Sequence, residues 1–160
     1  MRRKDREVTD LTEILDIIDR CPVCHLGMSV DNVPYIVPMN FGYSYADGEI
    51  TFYFHGALEG KKVDFLTQNR NVFFCLDLAH ELIVGATDGA YSYKYESVMG
   101  SGVAEFIERD DDKIHALKNM MSRFKKHEIE LSAADEILKR VLVFKVTSKD
   151  FTGKRNLVDA

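Results

Sequence analysis

The chain has 160 residues, of which 46% are hydrophobic and 29% charged, with a formal net charge of −5. This composition excludes a disordered chain and argues against nucleic acid as the main partner. No apolar run is long enough to span a membrane. The amino terminus, MRRKDREVTD, carries positive charge with no apolar segment behind it, so it does not read as a secretory signal. Three cysteines, an odd number, fit a reducing compartment better than a disulfide framework. The expectation is one cytoplasmic domain spanning residues 1–160, with no membrane and no nucleic-acid partner.

Asp10, with Glu13 three residues on, predicts a capping box for a helix whose apolar face is Leu11, Ile14, Leu15 and Ile18. That helix should end near Arg20. Cys21-Pro22-Val23-Cys24-His25 then matches the CxxCH spacing of c-type haem attachment. Attachment of that kind needs export, and a redox CxxC normally opens a helix rather than closing one. A zinc site would need a second ligand pair, and Cys75 alone is a poor one. The pair therefore reads as packing cysteines, and no metal site is expected.

Asp31-Asn32 predicts a turn between strands His25–Ser29 and Tyr35–Tyr43. Pro38 cannot donate to a ladder, so it implies an edge, a bulge or a break. The backbone of Met39, Asn40 and Phe41 would then be free to face a ligand. Ala46-Asp47-Gly48-Glu49 signals a tight hairpin turn into Ile50–Phe54. His55, Gly56 and Ala57 follow, and Gly60-Lys61-Lys62 leads into a short helix, Val63–Gln68. A helix start attracts anions, and two lysines in a first turn oppose the dipole unless an anion offsets them. The pair reads either as a solvated surface pair or as a phosphate site.

Val72–Leu78 is apolar on nearly both faces and should be a central strand, with Ala79–Gly89 as a loop closed by a turn at Thr87-Asp88-Gly89. Tyr91–Ile107 alternates: Val98, Gly100, Gly102, Ala104 and Phe106 fall on one side, and Tyr91, Tyr93, Tyr95, Ser97, Met99 and Ser101 on the other. Alternate glycines in a strand suggest curvature, as in a barrel. Asp110-Asp111-Asp112 opens a helix with Ile114, Leu117, Met121 and Phe124 inward, and His115 and His127 in solvent. A short helix is expected after Ser132 and Asp135, then a last strand, Leu142–Val146. Phe151–Asn156 reads as a basic tail.

MRRKDREVTD, CPVCHLGM, PYIVPMNFGY, FHGALEGKK, YSYKYESVMGSGVAEF and FTGK together resemble the FMN-binding split-barrel proteins of the pyridoxamine 5′-phosphate oxidase superfamily, on the Nim-type nitroimidazole-resistance side. The resemblance implies a mainly β fold, a six-stranded antiparallel split barrel with flanking helices. It also implies a homodimer with FMN at the subunit interface. The backbone of Met39, Asn40 and Phe41 would face the flavin ring. His55, Gly56 and Ala57 would line the site, and Lys61 and Lys62 would hold the phosphate. Ser97 and Val98 would come from the partner subunit. His55 matches the histidine that Nim-type proteins place beside the flavin, and is the catalytic candidate. The implied activity is FMN-dependent reduction of nitro-aromatic small molecules. The alternatives are a non-catalytic flavin- or haem-binding module and an oxidase-like enzyme of other substrate. The closing Lys154–Ala160 lacks the arginine- and histidine-bearing segment with which a pyridoxamine phosphate oxidase holds substrate phosphate, which argues against vitamin B6 oxidation.

Overall fold

The computed structural model describes residues 3–85, 87, 89–123, 132 and 136–157. A 3-10 turn at Lys4–Arg6 leads into β1 (Glu7–Val8), and then Asp10 caps α1 (Leu11–Arg20) by accepting from the N–H groups of Thr12 and Glu13. Ile14, Ile17 and Ile18 of α1 are buried. β2 (Cys24–Val30) and β3 (Val33–Met39) form a hairpin through Asp31 and Asn32, both at positive φ. β4 (Gly42–Ala46) and β5 (Glu49–Gly56) form a second through Asp47 and Gly48, also at positive φ, as the Asp-Gly turn predicts. Then come α2 (Lys61–Gln68), β6 (Asn71–Val84), β7 (Tyr91–Phe106), α3 (Asp110–Ser122), α4 (Ile137–Arg140) and β8 (Leu142–Asn156).

The strands form one antiparallel sheet in the order β3-β2-β6-β7-β8-β5-β4, with β1 added to the end of β8. β3 and β4 are thus the two edges, yet only Asn40 and Phe41 separate them in sequence. Three Cα–Cα steps span at most about 11 Å, whereas six strand spacings in a flat sheet would cover about 29 Å. The sheet must therefore curl until its edges meet, which makes a barrel opened along one seam. This is the split-barrel class that the resemblance implies, with eight strands rather than six. Part of the curl is made at Gly100 and Gly102, where the register against β8 shifts. A Cβ on Gly102 would lie 2.7 Å from Val146 and 2.8 Å from the Thr147 carbonyl.

The barrel is filled by aromatic rings. Phe52 sits 4.8 Å from Phe74 and Phe54 stacks on Phe144 at 5.1 Å, centroid to centroid, all four fully buried. Each such ring contributes about 1.5–3 kcal/mol through burial. α1 covers one opening of this core, with Cys21 and Cys24 buried inside it.

Four sequence expectations change. Tyr35–Tyr43 is not one strand, because the edge strand β3 ends at Met39, one residue past Pro38, and β4 begins at Gly42. Ala79–Gly89 is not wholly loop. β6 runs on to Val84 past a bulge at Ala79, whose φ is 63°, and pairs with β7. The basic tail is the end of β8, and the strand does not stop at Val146. Its polar residues hid it, but its backbone is paired to β7 and β1. In α3 the buried residues are Ala116, Leu117 and Met120, not Met121. Phe124, His127 and Asp135, and the Asp88 of the expected turn, lie outside the described residues.

Candidate functional site

β5 ends in His55 and Gly56, and four residues later α2 begins directly with Lys61 and Lys62. Its N-cap, Gly60, has φ 119° and offers no side chain to the first-turn N–H groups. Lys62 folds back over the end of β5. Its Nζ lies 3.5 Å from Met39 Sδ and 6.0 Å from the Phe144 ring centre, and a Cβ on Gly56 would come within 2.5 Å of it. Only glycine at position 56 leaves the ammonium that space. Met39, His55, Gly56 and Lys62 are thus brought together from β3, β5 and α2.

The cation is poorly compensated. Lys62 makes no ion pair with a described carboxylate, and burial lowers its pKa. Burial, and then the charge of Lys62, also lower the pKa of His55, which stands at the rim. Lys61 points elsewhere. Its Nζ is 4.7 Å from the Tyr35 ring centre and 5.4 Å from that of Phe65. Two lysines in the first turn of α2 contrast with α3, where three aspartates occupy the first turn and favour the dipole.

Phe41 sends its ring into the core, where the Arg123 guanidinium covers it at 4.2 Å. Arg123 also donates to the carbonyls of Ile18, Asp19 and Cys21, tying the end of α1 to the break after β3. Asn40 is exposed and donates to the Pro22 carbonyl at 3.3 Å. Neither Asn40 nor Phe41 makes a backbone–backbone hydrogen bond with a described residue, so that part of the chain keeps donors and acceptors for another partner. Ala57 is exposed just beyond β5.

Ser97 and Val98 lie apart from this cluster. His55 is level with Val143 on β8 and hence with the last residues of β7, ten residues from Ser97, or about 33 Å along the strand. The Val98 side chain is fully buried in the core. Tyr35, Phe65 and Phe144, which line the lysines, were missed by sequence reasoning. The pairing of β5 with β8 supplies Phe144, and no local motif marks it. Cavities elsewhere include one of about 540 Å³ among Tyr53, Arg70, Phe106 and His115, and a groove of about 440 Å³ along His25, Ile36 and Phe73.

Cys21 and Cys24 are fully buried, and their thiols are pushed up to about 12, chiefly by burial. They are core residues rather than thiolates at neutral pH. The outer face of the sheet is different. By strand alternation and register, Ile36, Phe73, Val103, Leu82, Val84, Tyr91 and Tyr93 share one side, and all are exposed. So large an apolar face is unusual for an isolated chain.

The family model described as pyridoxamine 5′-phosphate oxidase matches residues 10–155. This chain belongs to that flavin-binding family. Among solved structures, the family member is similar to a Bacteroides thetaiotaomicron protein named for a suspected role in 5-nitroimidazole antibiotic resistance. The two are 35% identical, the match covers 93% of this chain and 86% of that one, and the TM-score is 0.77. A flavocytochrome from Azotobacter vinelandii (20% identity, 99% and 73% covered, TM-score 0.80) shares the fold. So does an FAD- and haem-binding protein from Mycobacterium smegmatis (19%, 96% and 75%, TM-score 0.79). No curated protein matches this chain. Among the described residues, no helix is long and apolar enough to cross a membrane.

Proposed function

We propose that this protein is an FMN-dependent oxidoreductase that reduces nitro-aromatic small molecules, working as a homodimer with the flavin at the interface. One observation carries the reading: a half-buried ammonium, Lys62, with no ion pair to a described carboxylate, beside a glycine whose Cβ would displace it. The residues fit a phosphate-bearing flavin. Lys61 and Lys62 supply the charge that its phosphate needs, and the bare Gly56–Ala57 backbone allows close approach. The backbone at Asn40–Phe41, just after Met39, makes no backbone hydrogen bond with a described residue and offers hydrogen bonds to a ring edge. When bound, the flavin supplies the electron transfer, drawn from an external reductant.

The protein's own residues orient, exclude and protonate. Met39 and Phe144 cover Lys62 and strengthen its pull on an anion by keeping water away. His55, at the rim, is neutral at neutral pH because its pKa is lowered. An anion on Lys62 would offset the charge that lowers it, so binding would make His55 a better proton carrier. Its imidazole can then pass a proton to a nitro oxygen as that group is reduced. The exposed apolar face suits a second copy of the chain. Ser97 and Val98, remote from the same chain's His55, are assigned to the partner's flavin.

The test is the visible spectrum of the freshly purified protein, followed by identification of what denaturation releases. Twin flavin bands and released FMN support the proposal, and a protein that neither carries nor takes up FMN refutes it. His55→Gln should keep the flavin and lose most turnover on a nitro-aromatic substrate. Unchanged turnover would remove His55 from the chemistry.

A further inference from the structure

The link between β3 and β4 has no ladder of its own. Asn40 and Phe41 make no backbone–backbone hydrogen bond with a described residue, and such a link moves unless side chains fix it. Asn40 fixes one end by donating from Nδ2 to the Pro22 carbonyl at 3.3 Å. The last turn of α3 packs on the other end. Asn119 donates to the Tyr43 carbonyl at 3.0 Å, and a Cβ on Gly42 would collide with Asn119 Oδ1 and lie 2.7 Å from Met120 Cα. Glycine at position 42 thus lets α3 close onto the start of β4.

Arg123, the residue after α3, makes the third hold. Its Nη2 donates to the carbonyls of Ile18, Asp19 and Cys21 at 3.1, 3.2 and 2.8 Å. Ile18 and Asp19 belong to the last turn of α1, where carbonyls run short of helical donors and the dipole attracts a cation. The centre of the same guanidinium stands 4.2 Å from the Phe41 ring centre and 5.6 Å from that of Tyr43. One mostly buried side chain therefore joins the ends of α1 and α3 to Phe41 and Tyr43.

We propose that Arg123 is a positioning residue, fixing the Asn40–Phe41 backbone in the conformation that meets the ring edge of the cofactor. The inference rests on the flavin reading for the identity of that cofactor. Arg123 acts through Phe41. Ordering the link in advance spares a ligand the cost of ordering it on binding. A guanidinium suits this task better than an ammonium, because its planar face covers a ring while its edge donates to carbonyls.

Backbone amide relaxation of the full-length protein, freed of FMN, reads the restraint directly. Asn40 and Phe41 should show the order parameters of rigid backbone, about 0.85, and in Arg123→Met they should fall below about 0.6. FMN affinity should then weaken about tenfold. The visible bands of the bound flavin, which report hydrogen bonds to its ring, should shift. Ile50→Ala is the control, since it opens a cavity in the core at the far end of β5 and lowers stability without touching the link. It should leave the order parameters and the bands in place and the affinity within about twofold. Parent-like order parameters in Arg123→Met overturn the proposal, and so does an equal loss of flavin in Ile50→Ala. A parent that takes up no FMN overturns the flavin reading, while relaxation still decides for or against the restraint by Arg123. Should Arg123→Met not fold, Arg123→Lys keeps the charge and loses the planar face. Its order parameters should fall partway and FMN should weaken severalfold, and parent-like values of both overturn the role equally.

Discussion

Two short stretches of this chain carry reactive side chains at close spacing, and the fold treats them in opposite ways. Cys21–His25 lies between α1 and β2, with both thiols enclosed in the apolar core and raised to about 12. Gly56–Lys62 lies between β5 and α2, with one ammonium half-enclosed and still near the surface. Full enclosure suppresses a thiol, because the thiolate loses its solvation, and at Cys21 the charges of Arg20 and Arg123 do not make good that loss. Partial enclosure of a lysine has another outcome. The charge persists, its field is less screened, and an incoming anion recovers the solvation that was lost. The louder motif is therefore the structural one, and the quieter one the candidate site.

The sharpest way to break this contrast is to exchange the consequences. Lys61→Ala/Lys62→Ala removes two charge-assisted contacts of about 1.5–3 kcal/mol each, so FMN affinity should fall at least 100-fold in fluorescence titration. Cys21→Ala/Cys24→Ala should leave that affinity within about twofold. Equal losses in the two variants would erase the distinction. Next in size is Gly56→Ala. Its Cβ would stand 2.5 Å from Lys62 Nζ, so the ammonium must move and flavin affinity should drop about tenfold without loss of fold. An unchanged affinity would mean that the position of Lys62 over β5 is incidental. Cys24→Ser then probes the core side. A hydroxyl there is enclosed in the apolar core with only the Cys75 backbone for a polar neighbour, and should cost about 1–3 kcal/mol in denaturant melts while flavin uptake persists.

Local signals carried much of the fold. Asp47-Gly48 fixed one hairpin, Asp10 fixed the start of α1, and the alternation expected over Tyr91–Ile107 appears in β7, interrupted where Glu96, Ser97 and Val98 are all buried. What was not legible is what depends on distant pairing. The second half of β8 is polar and lacks β-branched residues at most positions, so its strand character comes from β7 and β1 on either side. The extension of β6 is likewise held by β7 across a bulge that no residue type announces. The candidate site divides in the same manner. His55, Gly56 and the lysine pair are neighbours in sequence, and the structure adds Met39 to them. Phe144, which stands over Lys62, reaches it only because β5 pairs with β8.

The smallest expected effect is also the most specific. If Lys62 lowers the pKa of His55 through its charge, Lys62→Met should raise that pKa. The rise should be incomplete, because burial, the larger cause, remains. Proton NMR of the imidazole reads this directly. The sign carries over to stability. The folded state holds His55 below its ordinary value of 6.5, so the unfolded chain binds the extra proton first. Stability from this group is therefore full above about 6.5 and falls as the pH drops through that value toward the folded pKa. Lys62→Met should make this loss shallower, and bound phosphate should do the same in the parent protein. If the His55 titration is identical with and without Lys62, the two groups do not share a field. Lys62 would then be an ordinary surface cation.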